Sequence, residues 1–305
     1  MLTVLAWFWR QPGGRCDYTA QHVNIWADMV QRNLAMPHRL ACVTDHADGI
    51  RDGIEIIAPP REFENARIPT WRDDRPQCLR RLAMFRKDAG RIFGERFVCM
   101  DLDCVISGPL DPLFDRDDDF VMFRGTQPGR PYNGSMMMLR AGARPQVYED
   151  FSIDGATRAG QTYFGSDQAW IAQCLGPGEA TWGEEHGVLH WWEGSGVPVP
   201  DAARLLFFVG RTKPWDRLDL DRVSRHYRRD GKRSCLILGR GSEVWREAER
   251  ALAKSRFDTT IALREPAKHW PGRLDAIADT DCDALRKATM LGASRLTFCG
   301  RTEVV

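Results

Sequence analysis

Residues Phe97–Ile106 read FVCMDLDCVI, an apolar run of strand-forming composition broken by two aspartates, Asp101 and Asp103. Aspartate is a poor strand former and costly to bury, so carboxylates at alternate positions need a physical reason. Side chains alternate across a strand, so Asp101 and Asp103 project to one face, on either side of Leu102. At the C-terminal end of a strand in an open α/β sheet, that face borders the crevice where ligands bind. Two carboxylates this close repel each other unless a cation or a set of donors compensates. Hard divalent ions such as Mg²⁺ or Mn²⁺ bind through one or two carboxylates together with substrate phosphates. The same tripeptide at Asp219–Asp221 reads as a solvated turn, so DLD alone does not decide between a cation site and a turn. The apolar strand before Asp101 and the PLDPLF after it favour the cation site.

Working outward, LTVLAWFW (Leu2–Trp9) is a strand, and TAQHVNIWADMVQRNL sets Val23, Trp26, Met29, Val30 and Leu34 near helical spacing. HRLACVTD and GIEIIAPP are strands, Arg75–Lys87 a helix, and DFVMFRG and NGSMMMLRAG two more strands. SDQAWIAQCL is a helix with Ser166 placed as its cap. Strand and helix taking turns predicts an α/β domain with a largely parallel sheet. Gly176–Pro214, rich in Gly, Pro and Trp, reads as one long irregular segment of the kind that carries function. Asp216–Ser234 is highly charged and reads as a connector. A new strand–turn–helix pattern follows in SCLILGRGSEVWREAERALAKS, with DTTIAL, LDAIAD and RLTFCG as further strands. The expected organisation is a large domain over 1–230 and a small Rossmann-like α/β domain over 231–305. The turn with Gly239 and Gly241 lacks a third glycine, too partial a match to assign a nucleotide there, and reads as structural.

A chain of 305 residues is long enough for two cores. With 43% apolar and 28% charged residues it has the composition of a soluble globular protein. The formal charge of +1 argues against whole-molecule attraction to nucleic acid or anionic lipid. No apolar run approaches the roughly 20 residues of a membrane span. The opening MLTVLAWFWRQPGG lacks a basic leader and a cleavage site, and reads as a strand and not as a secretion signal. Nine cysteines, odd in number and never spaced as CxxC, argue against a zinc site or a disulfide framework and for a reducing cytoplasm.

Five segments, taken in order, resemble nucleotide-sugar-dependent glycosyltransferases of the GT-A fold, most closely the glycogenin-like, family 8-like retaining enzymes and their bacterial and phage relatives. They are RRLAMFRKDAG (Arg80–Gly90), the DLD strand with VISGPLDPLF, YNGSMMMLRAG (Tyr132–Gly142), GSDQAW (Gly165–Trp170) and FFVGRTKPWD (Phe207–Asp216). The likeness covers roughly residues 1 to 216. It implies a Mn²⁺ or Mg²⁺ ion held by Asp101 and Asp103 on the diphosphate of a sugar donor, with Arg81 and Lys213 as further cations. Gly210 would admit the phosphates close to the backbone, and Trp215 would pack under the loop or touch the ligand. Asp167 and Gln168 would lie at the reacting sugar carbon, Asn133 would bond the sugar or ribose, and Trp9, Tyr18 and Asn24 would hold the base. Asp167 also suits a first-turn acid on a helix dipole; Asn133 suits a turn, and Tyr18 a core position. The family places a histidine ligand in the late loop, where this chain has Phe207, Phe208 and Val209. His190 is either a substitute brought in by folding or a structural residue.

Trp182, Trp191 and Trp192 are candidates for the acceptor surface, because sugars lay their C–H faces on indole rings; packing against the sheet is the alternative. The leading reading is a metal-dependent hexosyl- or pentosyltransferase with an unidentified acceptor. A non-catalytic nucleotide-sugar or carbohydrate binder is the first rival. The second is a transferase acting on a modified nucleic-acid base, motivated by Arg222, Arg225, Arg228, Arg229, Lys232 and Arg233 in the connector.

Overall fold

The structure, a computed structural model, describes residues 1–10, 18–71, 77–126, 129–193, 199–231, 233–240, 243–254, 257–271 and 274–300. Lys232 and Gly241 lie outside the described residues, as does the side chain of Arg233. Contacts divide the chain into two units: Met1–Val23 with Val30–Lys213, and Asn24–Met29 with Pro214–Val305.

In the first unit the long apolar runs become the middle of a seven-stranded sheet. β1 (Leu2–Phe8) is buried along its whole length, as expected of a strand covered on both faces. β2 (His38–Thr44) and β3 (Ile54–Ile57) add to one side of it, and β4 (Arg96–Met100) to the other, all parallel. A second group of three strands lies between β4 and the C-terminal half of the unit: β5 (Cys104–Ile106), β6 (Phe120–Arg124) and β7 (Tyr132–Arg140). With β8 (Ala180–Trp182) the large sheet has the order β3-β2-β1-β4-β7-β6-β8. Only β7 runs against the rest, pairing antiparallel with both β4 and β6. The expected class, α/β with a large mostly parallel sheet, is what the chain adopts. Its core joins Leu5, Val43, Phe85, Phe97 and Met137 of the sheet and its cover to Trp170 and Ile171 of helix Asp167–Leu175.

Two expectations are corrected here. The segment Gly176–Pro214 is not irregular throughout: it contains β8, β9 (Val188–Trp191) and β10 (Leu205–Phe208). β10 joins β9 to β5 in a small second sheet, antiparallel to β5 and parallel to β9. Strands of three and four residues leave too short an imprint for periodicity to register. Ser166 precedes helix Asp167–Leu175 but makes no side-chain cap. Its hydroxyl accepts instead from the Cys78 amide at 3.0 Å, which ties the helix start to the 3₁₀ helix Cys78–Phe85.

The second unit holds a four-stranded, wholly parallel sheet of β11 (Arg233–Leu238), β12 (Thr259–Leu263), β13 (Ala276–Ala278) and β14 (Ala293–Cys299), in the order β13-β12-β11-β14. Leu236, Leu238, Val244 and Ala248 form its core, and Trp245 stacks on Trp270 at 5.8 Å. The charged connector contributes helix Asp221–His226 and the buried Arg229, whose Nε lies 2.6 Å from Asp28. Every described cysteine is a free thiol. No helix among the described residues is long and apolar enough to cross a membrane.

Candidate active site

β4 stops at Met100, and the Asp101 amide extends its ladder by one bond, donating to the Ser135 carbonyl at 2.9 Å. The carboxylate that follows accepts from Arg81 Nη1 at 2.9 Å. Arg81, on the 3₁₀ helix, is buried, and its guanidinium works on three elements at once. Nη2 donates to the Gly134 carbonyl on β7, and Nε faces Asp167 Oδ2 at 3.3 Å, at the start of helix Asp167–Leu175. That last contact is an ion pair without an aligned hydrogen bond. Residues 81, 101, 134 and 167 thus meet at one place. A Cβ on Gly134 would stand 3.1 Å from Arg81 Nη2 and 3.5 Å from an Asp167 oxygen, so glycine gives the guanidinium its room. The register between β6 and β7 shifts here, between Met122 and Phe123, as a bulge that re-aims the local backbone.

Asp103 lies one residue beyond Leu102, and its carbonyl accepts from the Phe208 amide at 2.9 Å, which binds it to the end of β10. Its carboxylate accepts from Lys213 Nζ at 2.5 Å, with both side chains almost sealed at 12% and 6% exposure. Asp101 keeps a third of its side chain exposed. Burial pushes the Asp101 carboxyl up to about 6; Arg81 pulls it back and the neighbouring Asp103 charge adds to the rise. The two aspartates are therefore electrostatic neighbours, although β4 ends at Met100 and residues 101–103 form a bend and not an alternating strand. Gly210, between β10 and Lys213, has φ +86° with open space where a side chain would stand. Only glycine takes that conformation without strain.

The side chains expected to touch a donor divide into two sets. Arg81, Asp101, Asp103, Asp167 and Lys213 gather around the ends of β4 and β10. Gln168 is close by, but its amide joins backbone to backbone: Oε1 accepts from Gly134 N–H at 3.0 Å and Nε2 donates to the Phe164 carbonyl at 2.7 Å. Asn133 turns its oxygen onto the Ser135 amide at 2.8 Å. Trp9 and Tyr18 are half-buried, and their rings meet Trp7 and His22 edge-on. Asn24 is buried within helix Ala20–Asn33 and offers no exposed face to a base. Trp215 packs toward Tyr227, 6.2 Å between ring centres, in the second unit. Trp182 is completely buried and donates its indole N–H to the Leu113 carbonyl, so it is withdrawn as an acceptor candidate. Trp191 lies 4.4 Å from Phe208, while Trp192 is 48% exposed. The sequence reading missed Gly134, although a glycine inside an apolar strand is itself a sign of close backbone approach.

The family resemblance implies a divalent ion, and the donor set can be tested against it. Among the described residues, three carboxylates, Asp101, Asp103 and Asp167, meet the two cations Arg81 and Lys213. His190, paired in register with Phe207, has neither ring nitrogen hydrogen-bonded. Burial lowers it to about 4, helped by Arg130 and opposed by Asp103, so its imidazole is neutral and within electrostatic reach of Asp103. Among the described residues no three His, Cys, Asp or Glu side chains are grouped to hold a metal by themselves. The carboxylate oxygens of Asp101 and Asp103 are of the ligand type that a hard divalent ion takes.

No family model matches the chain, and no curated protein does. Among solved structures it is similar to the galactosyltransferase LgtC in complex with donor and acceptor sugar analogues, at 13% identity and a TM-score of 0.47 over 71% of this chain and 90% of that one. It is similar to the apo form of the glycosyltransferase GlyE of Streptococcus pneumoniae TIGR4, at 12% identity and a TM-score of 0.48 over 97% of this chain and 79% of that one. The apo structure of the bifunctional glycosyltransferase WbbM matches at 9% identity and a TM-score of 0.42, over 74% of this chain and 50% of that one.

Proposed function

We propose that the chain is a GT-A glycosyltransferase that moves a sugar from a nucleoside-diphosphate donor to a hydroxyl acceptor, with retention of configuration. The observation that carries this reading is the convergence of Arg81, Asp101 and Asp167, and of Asp103 with Lys213, from four segments far apart in sequence. In transfer, the bond from the anomeric carbon to the phosphate oxygen breaks and the bond to the acceptor oxygen forms. The acceptor's proton passes to the phosphate oxygen that leaves, and until it arrives negative charge grows on the departing diphosphate. Groups preorganised to meet that charge contribute most to the rate. Arg81 and Lys213 supply positive charge, and Gly210 lets the backbone come close. Asp101 and Asp103 would hold a divalent ion, whose chemistry there is Lewis-acid stabilisation of the leaving diphosphate. Asp167, oriented by Arg81 and by its bond from the Gln168 amide at 2.9 Å, faces the positive charge that develops on the sugar ring. Gln168 acts by fixing Gly134 and the helix start.

The test is a screen of nucleotide sugars for nucleoside-diphosphate release, with Asp167→Asn as the inactive control. Release by the native chain, lost in the variant, supports the reading; donor binding without release moves the protein to the binder class. The nucleic-acid reading loses Arg229, which is buried against Asp28. Proton NMR of the first product reports retention or inversion.

A further inference from the structure

Lys213 pairs with Asp103, one of the two carboxylates that the family resemblance assigns to a divalent ion. Its ammonium lies 2.5 Å from Asp103 Oδ2, and a second cation at that oxygen meets both its charge and its volume. We infer that Lys213 is an internal counter-cation that makes divalent-ion binding at Asp103 conditional on a diphosphate, which draws the ammonium away. The inference rests on the glycosyltransferase reading above.

Three observations support it. The Lys213–Asp103 pair is buried, where an unpaired carboxylate is strongly disfavoured, so a cation is required there before any ligand arrives. Lysine is a compact point charge on a flexible stem and can exchange a carboxylate for a phosphate. Gly210, three residues upstream, has open space beside its left-handed backbone, so the loop that carries the lysine is not packed shut at that point. Arg81 is held by Asp101, Asp167 and the Gly134 carbonyl together.

The experiment titrates the full chain with Mn²⁺ and follows the free-ion signal by electron paramagnetic resonance, without nucleotide and with UDP, GDP or ADP. The expected result is weak Mn²⁺ binding by the native chain alone, strengthened at least about tenfold by one of the diphosphates. Lys213→Met should bind Mn²⁺ at least about tenfold more tightly than the native chain with no nucleotide present. Lys213→Arg, which keeps the charge, should stay weak, and circular dichroism of both variants checks that they fold. Equal Mn²⁺ affinity in the native chain and Lys213→Met overturns the inference and leaves the glycosyltransferase reading standing. Tighter binding in Lys213→Met with no response to any of the three diphosphates overturns both.

Discussion

Asp28–Arg229 and Asp103–Lys213 are both buried carboxylate–cation pairs, 2.6 and 2.5 Å long, one in each unit of the chain. Their surroundings differ. Asp28 also receives the Asp230 amide at 3.0 Å, and the Arg229 amide donates to the Met290 carbonyl at 2.6 Å. One carboxylate meets one guanidinium inside a frame of backbone bonds, and the charges balance. Asp103 belongs, among the described residues, to a cluster of three carboxylates and two cations, beside a partly exposed Asp101 and a glycine loop with open space. Nearly the same pairing distance thus serves two purposes. A framed pair specifies the fold, whereas the pair at Asp103, on the reading proposed above, holds charge ready for a ligand.

The largest effect should come from breaking the balanced pair. Arg229→Met leaves Asp28 buried without its guanidinium and should cost about 3–5 kcal/mol in urea unfolding. Lys213→Met should cost less than half of that when Mn²⁺ is present, because on the inference above the ion takes the ammonium's place at Asp103. Equal losses would erase the distinction between the pairs. Next in size is Asp167→Asn, which keeps the shape and removes the charge proposed to face the reacting sugar. Turnover should fall by about 10²–10³-fold with the melting temperature nearly unchanged. A comparable fall in stability would instead make Asp167 a structural partner of Arg81.

How far the sequence could carry this account depends on the range of each interaction. β1 and β4 are continuous apolar runs whose burial is a local property, so they are visible in the residues themselves. The spacing of Asp101 and Asp103 is equally local, but the two stand in the bend between β4 and β5 and pair with different cations, which strand alternation does not foresee. β9 and β10 are not visible in this way. They are four residues each, and they form because β5 supplies an edge some hundred positions earlier in the chain. The same holds for side chains. Ser166 has the composition of a helix cap, but its hydroxyl accepts from the Cys78 amide instead. Gln168 has the chemistry to touch a sugar, but Gly134 and Phe164 claim both ends of its amide. Local pattern proposes a role, and long-range contacts decide whether the group is still available for it.

The third prediction uses a buried group that carries no ligand charge. His22 sits in the first turn of helix Ala20–Asn33, where its Nδ1 accepts from the Thr19 amide at 3.0 Å. Burial lowers it from 6.5 to about 3, so it stays neutral in the folded chain. The unfolded chain therefore binds one more proton across that interval, and stability must fall as pH drops from about 6.5 toward 3. The slope from this group is at most about 1.4 kcal/mol per pH unit. His22→Gln, which can still accept from Thr19, should flatten the acid side of the stability curve. If the curve keeps its slope, another group is responsible for the acid sensitivity.

The smallest expected effect tests the acceptor side. Of the three tryptophans in the segment, Trp182 is sealed in the core and Trp191 rests on Phe208, so Trp192 is the one with a largely open face. An indole offers a sugar ring a flat apolar surface, a contact on the scale of about 0.5–1.5 kcal/mol. Trp192→Ala should accordingly raise KM for the acceptor by up to about tenfold and leave kcat within about twofold. Hydrolysis of the donor by water needs no acceptor, so it should proceed at the native rate in the same variant. That pairing isolates the acceptor contact from the donor site. If hydrolysis falls along with transfer, Trp192 acts through the donor site; if neither changes, the acceptor lies against another surface.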